Sequence, residues 1–134
     1  MKKILFLFAV LFIMVGTGLH AQVTKPTAPI EVLPINDIAS TVGSLMDILK
    51  PKLALSDAQS PKITGLLTDF LKSKSGILSL AKSKPADYLS KFSGIQNKLL
   101  GGLKTALSAA QYTKFLDLKP KASDEGNVLN HLFH

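Results

Sequence analysis

From Asn36 onward, apolar residues recur three and four positions apart, the spacing that lines one face of a helix. Ile38, Val42, Leu45, Met46 and Leu49 form the first such face, with Asn36 or Asp37 placed to cap it and Pro51 to end it. Ile63, Leu66, Leu67, Phe70 and Leu71 form the second, which begins after Ser56. Lys72 to Gly76 reads as a polar break, followed by a short helical turn from Ile77 to Ala81. Pro85 opens the longest helix, over 86–106, in which Tyr88, Phe92, Ile95, Leu99, Leu103 and Ala106 share a face that Leu89 and Leu100 widen. Phe115, Leu116 and Leu118 supply a last amphipathic stretch before Pro120, and Asn127 to Phe133 has the pattern of a short closing helix. No segment alternates with the two-residue period of a half-buried strand. The pattern therefore predicts an all-α protein, a small antiparallel helical bundle or layered helical hairpin of about four helices.

Three places disturb the helical pattern. Pro61 and Gly65 weaken the second helix, since a proline late in the first turn costs a backbone hydrogen bond. Gly101-Gly102 interrupts the longest one at roughly 2 kcal/mol relative to two alanines. Either a kink or a close helix–helix approach accounts for that pair.

The N-terminal 35 residues follow other rules. Lys2 and Lys3 precede an apolar run from Ile4 to Val15, and Gly16 to Ala21 contains the small residues of a cleavage region, so residues 1–21 read as an export signal cut near Ala21/Gln22. The apolar run is 12 residues, short of the ~20 that span a bilayer. Residues 22–35 hold Pro26, Pro29 and Pro34 without helical period and read as an extended, mobile arm. A helical domain over 36–119 follows, and 120–134 reads as a loop with a short helix or frayed tail. Removing 21 of the 134 residues leaves 113, one domain with one modest core. The expected location is periplasmic or secreted.

Within this pattern one segment occurs twice. Ala54-Leu55-Ser56-Asp57-Ala58-Gln59-Ser60-Pro61-Lys62 returns 52 residues later as Ala106-Leu107-Ser108-Ala109-Ala110-Gln111-Tyr112-Thr113-Lys114, with six of nine positions identical. Each copy starts a helix. Ser56 with Gln59, and Ser108 with Gln111, have the spacing of a capping box, in which the hydroxyl and the amide each satisfy a backbone N–H that the helix leaves free. Leu55 and Leu107 stand where an apolar staple residue belongs, and Leu107 is placed to pack on Tyr112. The capping role alone accounts for all four polar residues.

The paired Leu55-Ser56-Asp57-Ala58-Gln59 and Leu107-Ser108-Ala109-Ala110-Gln111 resemble the LTxxQ motifs of the Spy/CpxP family of periplasmic helical proteins. Ser replaces the family's usual Thr in both copies, and either hydroxyl caps. The resemblance implies a curved helical hairpin, often a homodimer, that acts as an ATP-independent chaperone or envelope-stress protein. It further implies a concave basic surface with apolar patches.

Charge adds a second theme. All 16 basic residues are lysine, against nine acids. Without arginine or tryptophan, and with an export signal, the chain is ill suited to bind nucleic acid, where bidentate Arg contacts dominate base recognition. Lys72, Lys74, Lys82, Lys84, Lys91, Lys98 and Lys104 face only Asp87 over residues 71–110, a net charge of +6. Lys84, Lys91 and Lys98 recur every seven residues, at the edge of the Phe92/Ile95/Leu99 face. A positive border beside an apolar strip suits unfolded or acidic proteins as partners, and also an anionic membrane surface. Its plainest role is a solvated face that keeps the chain soluble.

Chemistry finds little material. There is no cysteine, so disulfides, thiol chemistry and a lipid-anchored form are excluded. No nucleophile elbow, metalloprotease or phosphate-loop pattern occurs, so the expectation is a chain without catalytic residues or cofactors. His131 and His134 are spaced to share a metal on a helix, but no third ligand has suitable spacing and no metal site is expected. The sequence thus points to a non-enzymatic exported binding protein. The alternative is an envelope- or anionic-membrane-associated structural protein.

Overall fold

The computed structural model describes residues 29–121 and 123–134. Six helices and no strands occur among them: α1 (Ile38–Leu53), α2 (Gln59–Ser75), α3 (Leu80–Ser83), α4 (Pro85–Ala106), α5 (Ala109–Asp117) and α6 (Asn130–Phe133). The all-α expectation holds. The count of about four does not, because two single-turn helices, α3 and α6, join the four longer ones. The expected export signal and its cleavage point lie outside the described residues.

Asp37 caps α1, its carboxylate accepting the Ser40 N–H at 2.5 Å. The helix continues past Pro51 to Leu53. Leu53 falls one turn after Leu49 on the buried face, and burying it contributes roughly 1.5–3 kcal/mol, which offsets much of the cost of a proline in the last turn. The chain then reverses at Ala54, a left-handed residue with φ 50°. The N–H groups of Ala54 and Leu55 both donate to the Lys50 carbonyl, which closes the helix and turns Leu55 into the core.

The polar break expected at Lys72 to Gly76 is absent, and α2 runs through Lys72, Ser73 and Lys74 to Ser75. The reason is packing. Leu67, Phe70, Leu71 and Lys74 lie on one helical face and all are buried, so the face extends one turn beyond the last apolar residue. Gly101 and Gly102 do not kink α4, which is continuous from Pro85 to Ala106. Gly102 marks a close approach: a Cβ there would lie 2.5 Å from Leu66 Cδ2 of α2, whereas one on Gly101 would meet nothing within 4 Å.

The core joins all parts of the described chain. Leu45, Leu49, Ile63, Leu67, Leu71, Tyr88, Leu103 and Phe115 are fully buried, and α2 packs on both α1 and α4. Residues 29–35 have no regular secondary structure and are seated on the core. Ile30, Val32 and Ile35 pack against it, and the Ile30 N–H donates to the Ala81 carbonyl at 2.9 Å. The C-terminal segment is not a frayed tail either. Leu129, His131 and Leu132 are buried, and Phe133 stacks on Phe115 with ring centroids 5.4 Å apart. Among the described residues no helix is long and apolar enough to cross a membrane.

Candidate functional site

The two repeated motifs meet. Ser108 Oγ accepts the Gln111 N–H at 3.2 Å, and Gln111 Oε1 accepts the Ser108 N–H at 2.9 Å, a complete capping box. Ser56 and Gln59 make the same pair at 3.2 and 3.0 Å. The chain turns at Asp57 and Ala58 before the regular helix begins at Gln59, so the box closes this turn as well. Leu55 and Leu107 are both buried beside their caps.

Each glutamine then does more than cap. Gln59 Nε2 donates to Gln111 Oε1 at 2.7 Å, and Gln111 Nε2 donates back to Gln59 Oε1 at 3.0 Å. Gln59 Nε2 also reaches the Ala106 carbonyl at the end of α4, at 3.2 Å. Gln111 Nε2 reaches the Leu53 carbonyl at the end of α1, at 3.1 Å. Each motif thus starts its own helix and satisfies a free carbonyl of the helix that precedes the other motif. Consistently, α2 packs on α4 while α5 packs on α1. The assembly is an internal brace in which both serine hydroxyls accept backbone N–H groups. Capping alone, the role read from sequence, is only half of what these residues do.

The lysine set divides in two. Lys72, Lys82, Lys84, Lys91, Lys98 and Lys104 are exposed. Lys84 stands just before α4 with an irregular backbone, so only Lys91 and Lys98 continue the seven-residue row along the helix. Lys104 lies roughly 120° around α4 from Lys98, on the other side of the buried face. Asp87, the one acid of this region, sits in the first turn of α4, where it complements the helix dipole. The apolar strip that these lysines were expected to border is consumed by the core: Tyr88, Phe92, Leu99 and Leu103 are buried. Among the described residues the large hydrophobic side chains left exposed are Leu89 and Leu116, at 43% and 42%.

Lys74 does not belong to this surface. It is 1% exposed. Its ammonium donates to the carbonyls of His131 and His134 at 2.8 and 2.5 Å and lies 5.0 Å from the centroid of the Phe92 ring. Two carbonyls and an aromatic face replace its water shell, which makes the burial tolerable for a cation. Burial still pushes the ammonium down to about 8. A lysine one turn beyond Phe70 and Leu71 continues their face, so the spacing marks its place on that face, while its burial is decided by the packing.

Two further polar groups sit in this part of the core. Tyr88 stacks on Phe92 at 5.8 Å, with its hydroxyl buried and unpartnered, and burial raises it to about 12. His131 is buried with Nδ1 unpartnered, and burial, then the Lys74 charge, lowers it to about 4. Among the described residues no group of three or more His, Cys, Asp or Glu is arranged to hold a metal ion.

A shallow groove of about 580 Å³ lies between residues 30–34 and the C-terminal segment, with Lys121, Glu125, Asn130 and His134 on its polar side. Glu31, Glu125 and His134 are the acid–base groups of its lining. No protein-family model matches the chain, and no curated protein or solved structure matches it significantly.

Proposed function

We propose that this chain is a non-enzymatic, exported binding protein that engages unfolded or acidic proteins electrostatically, in the manner of a periplasmic chaperone without ATP. One observation carries the reading: six lysines between Lys72 and Lys104 are exposed, while Asp87 is the only acid in the same stretch. Lysine is a hydrated point charge on a flexible stem, suited to loose contact with many acidic segments and poorly suited to one rigid ligand. The paired LSxxQ motifs support the same class of protein through their resemblance to the Spy/CpxP family. Among the described residues Leu89 and Leu116 are the large hydrophobic side chains left exposed, and the lysine charges speed encounter with acidic segments.

The test is suppression of aggregation of an unfolded acidic client, at low and high salt, with poly-L-glutamate as competitor. A Lys84/Lys91/Lys98→Gln triple variant runs alongside. Three exposed charges at about 0.5 kcal/mol each correspond to roughly tenfold weaker binding at low salt. The expected result is suppression that weakens with salt, is competed by poly-L-glutamate and falls about tenfold in the triple variant. Absence of suppression, or suppression equal in the variant, refutes the reading. Binding only to anionic vesicles, with Tyr88 leaving its buried environment, replaces it with the membrane-surface alternative.

A further inference from the structure

The final helix, α6, is a single turn of four residues that carries His131 and Leu132 into the core. One helical turn has no stability of its own, so tertiary contacts hold it. From α2, Lys74 Nζ donates to the His131 and His134 carbonyls. From α4, Gln96 Nε2 donates to the Leu132 carbonyl at 2.8 Å. From α5, Phe115 stacks on Phe133. Lys74 and Gln96 satisfy carbonyls that the turn cannot satisfy itself.

His131 is the weak point of this arrangement. Its side chain is 5% exposed, its Nδ1 has no hydrogen-bond partner, and its own carbonyl already holds the Lys74 ammonium. A neutral imidazole fits there. An imidazolium would be a second buried cation next to the first.

The charged groups around α6 do not relieve this. Lys74 comes from α2, and Lys119, just after α5, acts on His134. Glu31, Lys121 and Glu125 line the groove beside His134. From α4 come the uncharged Gln96 and, through the Phe92 ring under Lys74, the Tyr88 hydroxyl.

We propose that α6 is an acid-released latch: protonation of His131 beside the Lys74 ammonium expels the C-terminal turn and uncovers the apolar seat formed by Phe115 and its neighbours. The inference is independent of the lysine-face reading, since it concerns how the fold opens and not what binds.

Its pH window follows from linkage. A base whose closed-state value lies below its open-state value favours the closed form at high pH. That preference is complete above the ordinary 6.5 of His131 and is lost as pH falls toward about 4. Across that range acid favours the open form by up to about 300-fold. His134 is lowered by burial, Lys119 and Lys74 and acts in the same direction. Lys74, at about 8, is protonated in both forms throughout the window and adds no slope there.

The experiment is NMR of the full chain from pH 7.5 to 3.5. It follows the His131 ring, the Leu132 methyls as latch reporters, and the Leu45 and Ile63 methyls as core reporters. The expected result is that Leu132 moves to a solvent-exposed environment in step with His131 protonation, while Leu45 and Ile63 keep their native shifts. H131L keeps Leu132 native to lower pH, with H131Q standing in if that variant does not fold, and H134Q produces a smaller change. Titration of His131 at its ordinary value with Leu132 undisturbed overturns the proposal. So does an unchanged Leu132 transition in both His131 variants, or the loss of all methyl reporters together.

Discussion

Removing the two motif glutamines one at a time and then together distinguishes a brace from two independent caps. Gln111→Ala deletes the bond that closes its own box, the bond to the Leu53 carbonyl and both amide bonds with Gln59. Gln59→Ala deletes the bond to the Ser56 N–H, the bond to the Ala106 carbonyl and the same two amide bonds. A hydrogen bond contributes about 1 kcal/mol net, and water replaces part of what a half-buried site loses, so each single variant should cost roughly 2–3 kcal/mol. The two amide bonds are shared, so they are lost only once in the double variant. It should therefore cost about 1–2 kcal/mol less than the sum of the singles. Urea unfolding followed by far-UV circular dichroism at pH 7 measures this, provided the denaturant slope stays constant. Additivity within about 0.5 kcal/mol would refute the brace and reduce the motifs to separate helix caps.

The adjacent glycines should respond in opposite ways to alanine. Gly101→Ala meets open space and should stabilise α4 by about 1 kcal/mol, whereas Gly102→Ala forces Leu66 aside and should forfeit that gain, as thermal unfolding of both would show. Lys74 should impose a rising stability between pH 8 and 10. Its folded value of about 8 lies below the ordinary 10.5, so the unfolded chain binds more protons there and loses ground as pH rises. The gain is on the order of 2 kcal/mol, and urea midpoints of Lys74→Met should lack that slope; a slope retained by the variant would contradict the assignment. Above pH 10 Tyr88, held at about 12, pulls the other way, because only the unfolded chain then releases its proton.

Local signals were sufficient for the all-helical class and for the starts of α1, α4 and α5. Asp37 and Ser108 are caps because a short oxygen-bearing side chain ahead of an apolar period has few better uses. The start of α4 at Pro85 follows in the same way from a fixed φ that suits a first turn. Where local rules and burial pulled apart, burial decided. Pro51 did not end α1 because Leu53 had a place in the core, and Lys72–Ser75 stayed helical because Lys74 lay on the buried face.

The candidate site was legible to a smaller degree, and the reason is geometric. Repeat spacing identifies Gln59 and Gln111 as equivalent, yet nothing in a linear chain states that residues 52 apart exchange amide hydrogen bonds. The heptad row marks Lys91 and Lys98 as one exposed face, but it cannot reveal that the neighbouring Tyr88, Phe92 and Leu99 are fully used by the core. Nor does a C-terminal run rich in polar residues announce that Lys74 and Gln96 will hold its carbonyls.

The sequence by itself determined an all-helical chain, the capping chemistry of its repeated motif and a lysine-rich exterior, because each depends on residues within a turn or two of one another. Only the tertiary structure decided that the two motifs brace each other, that Gly102 marks a contact with Leu66 and that Lys74 and His131 are interior groups. Those outcomes depend on which surfaces meet once the apolar faces are buried, and desolvation at those contacts is what changes a surface lysine into a buried cation.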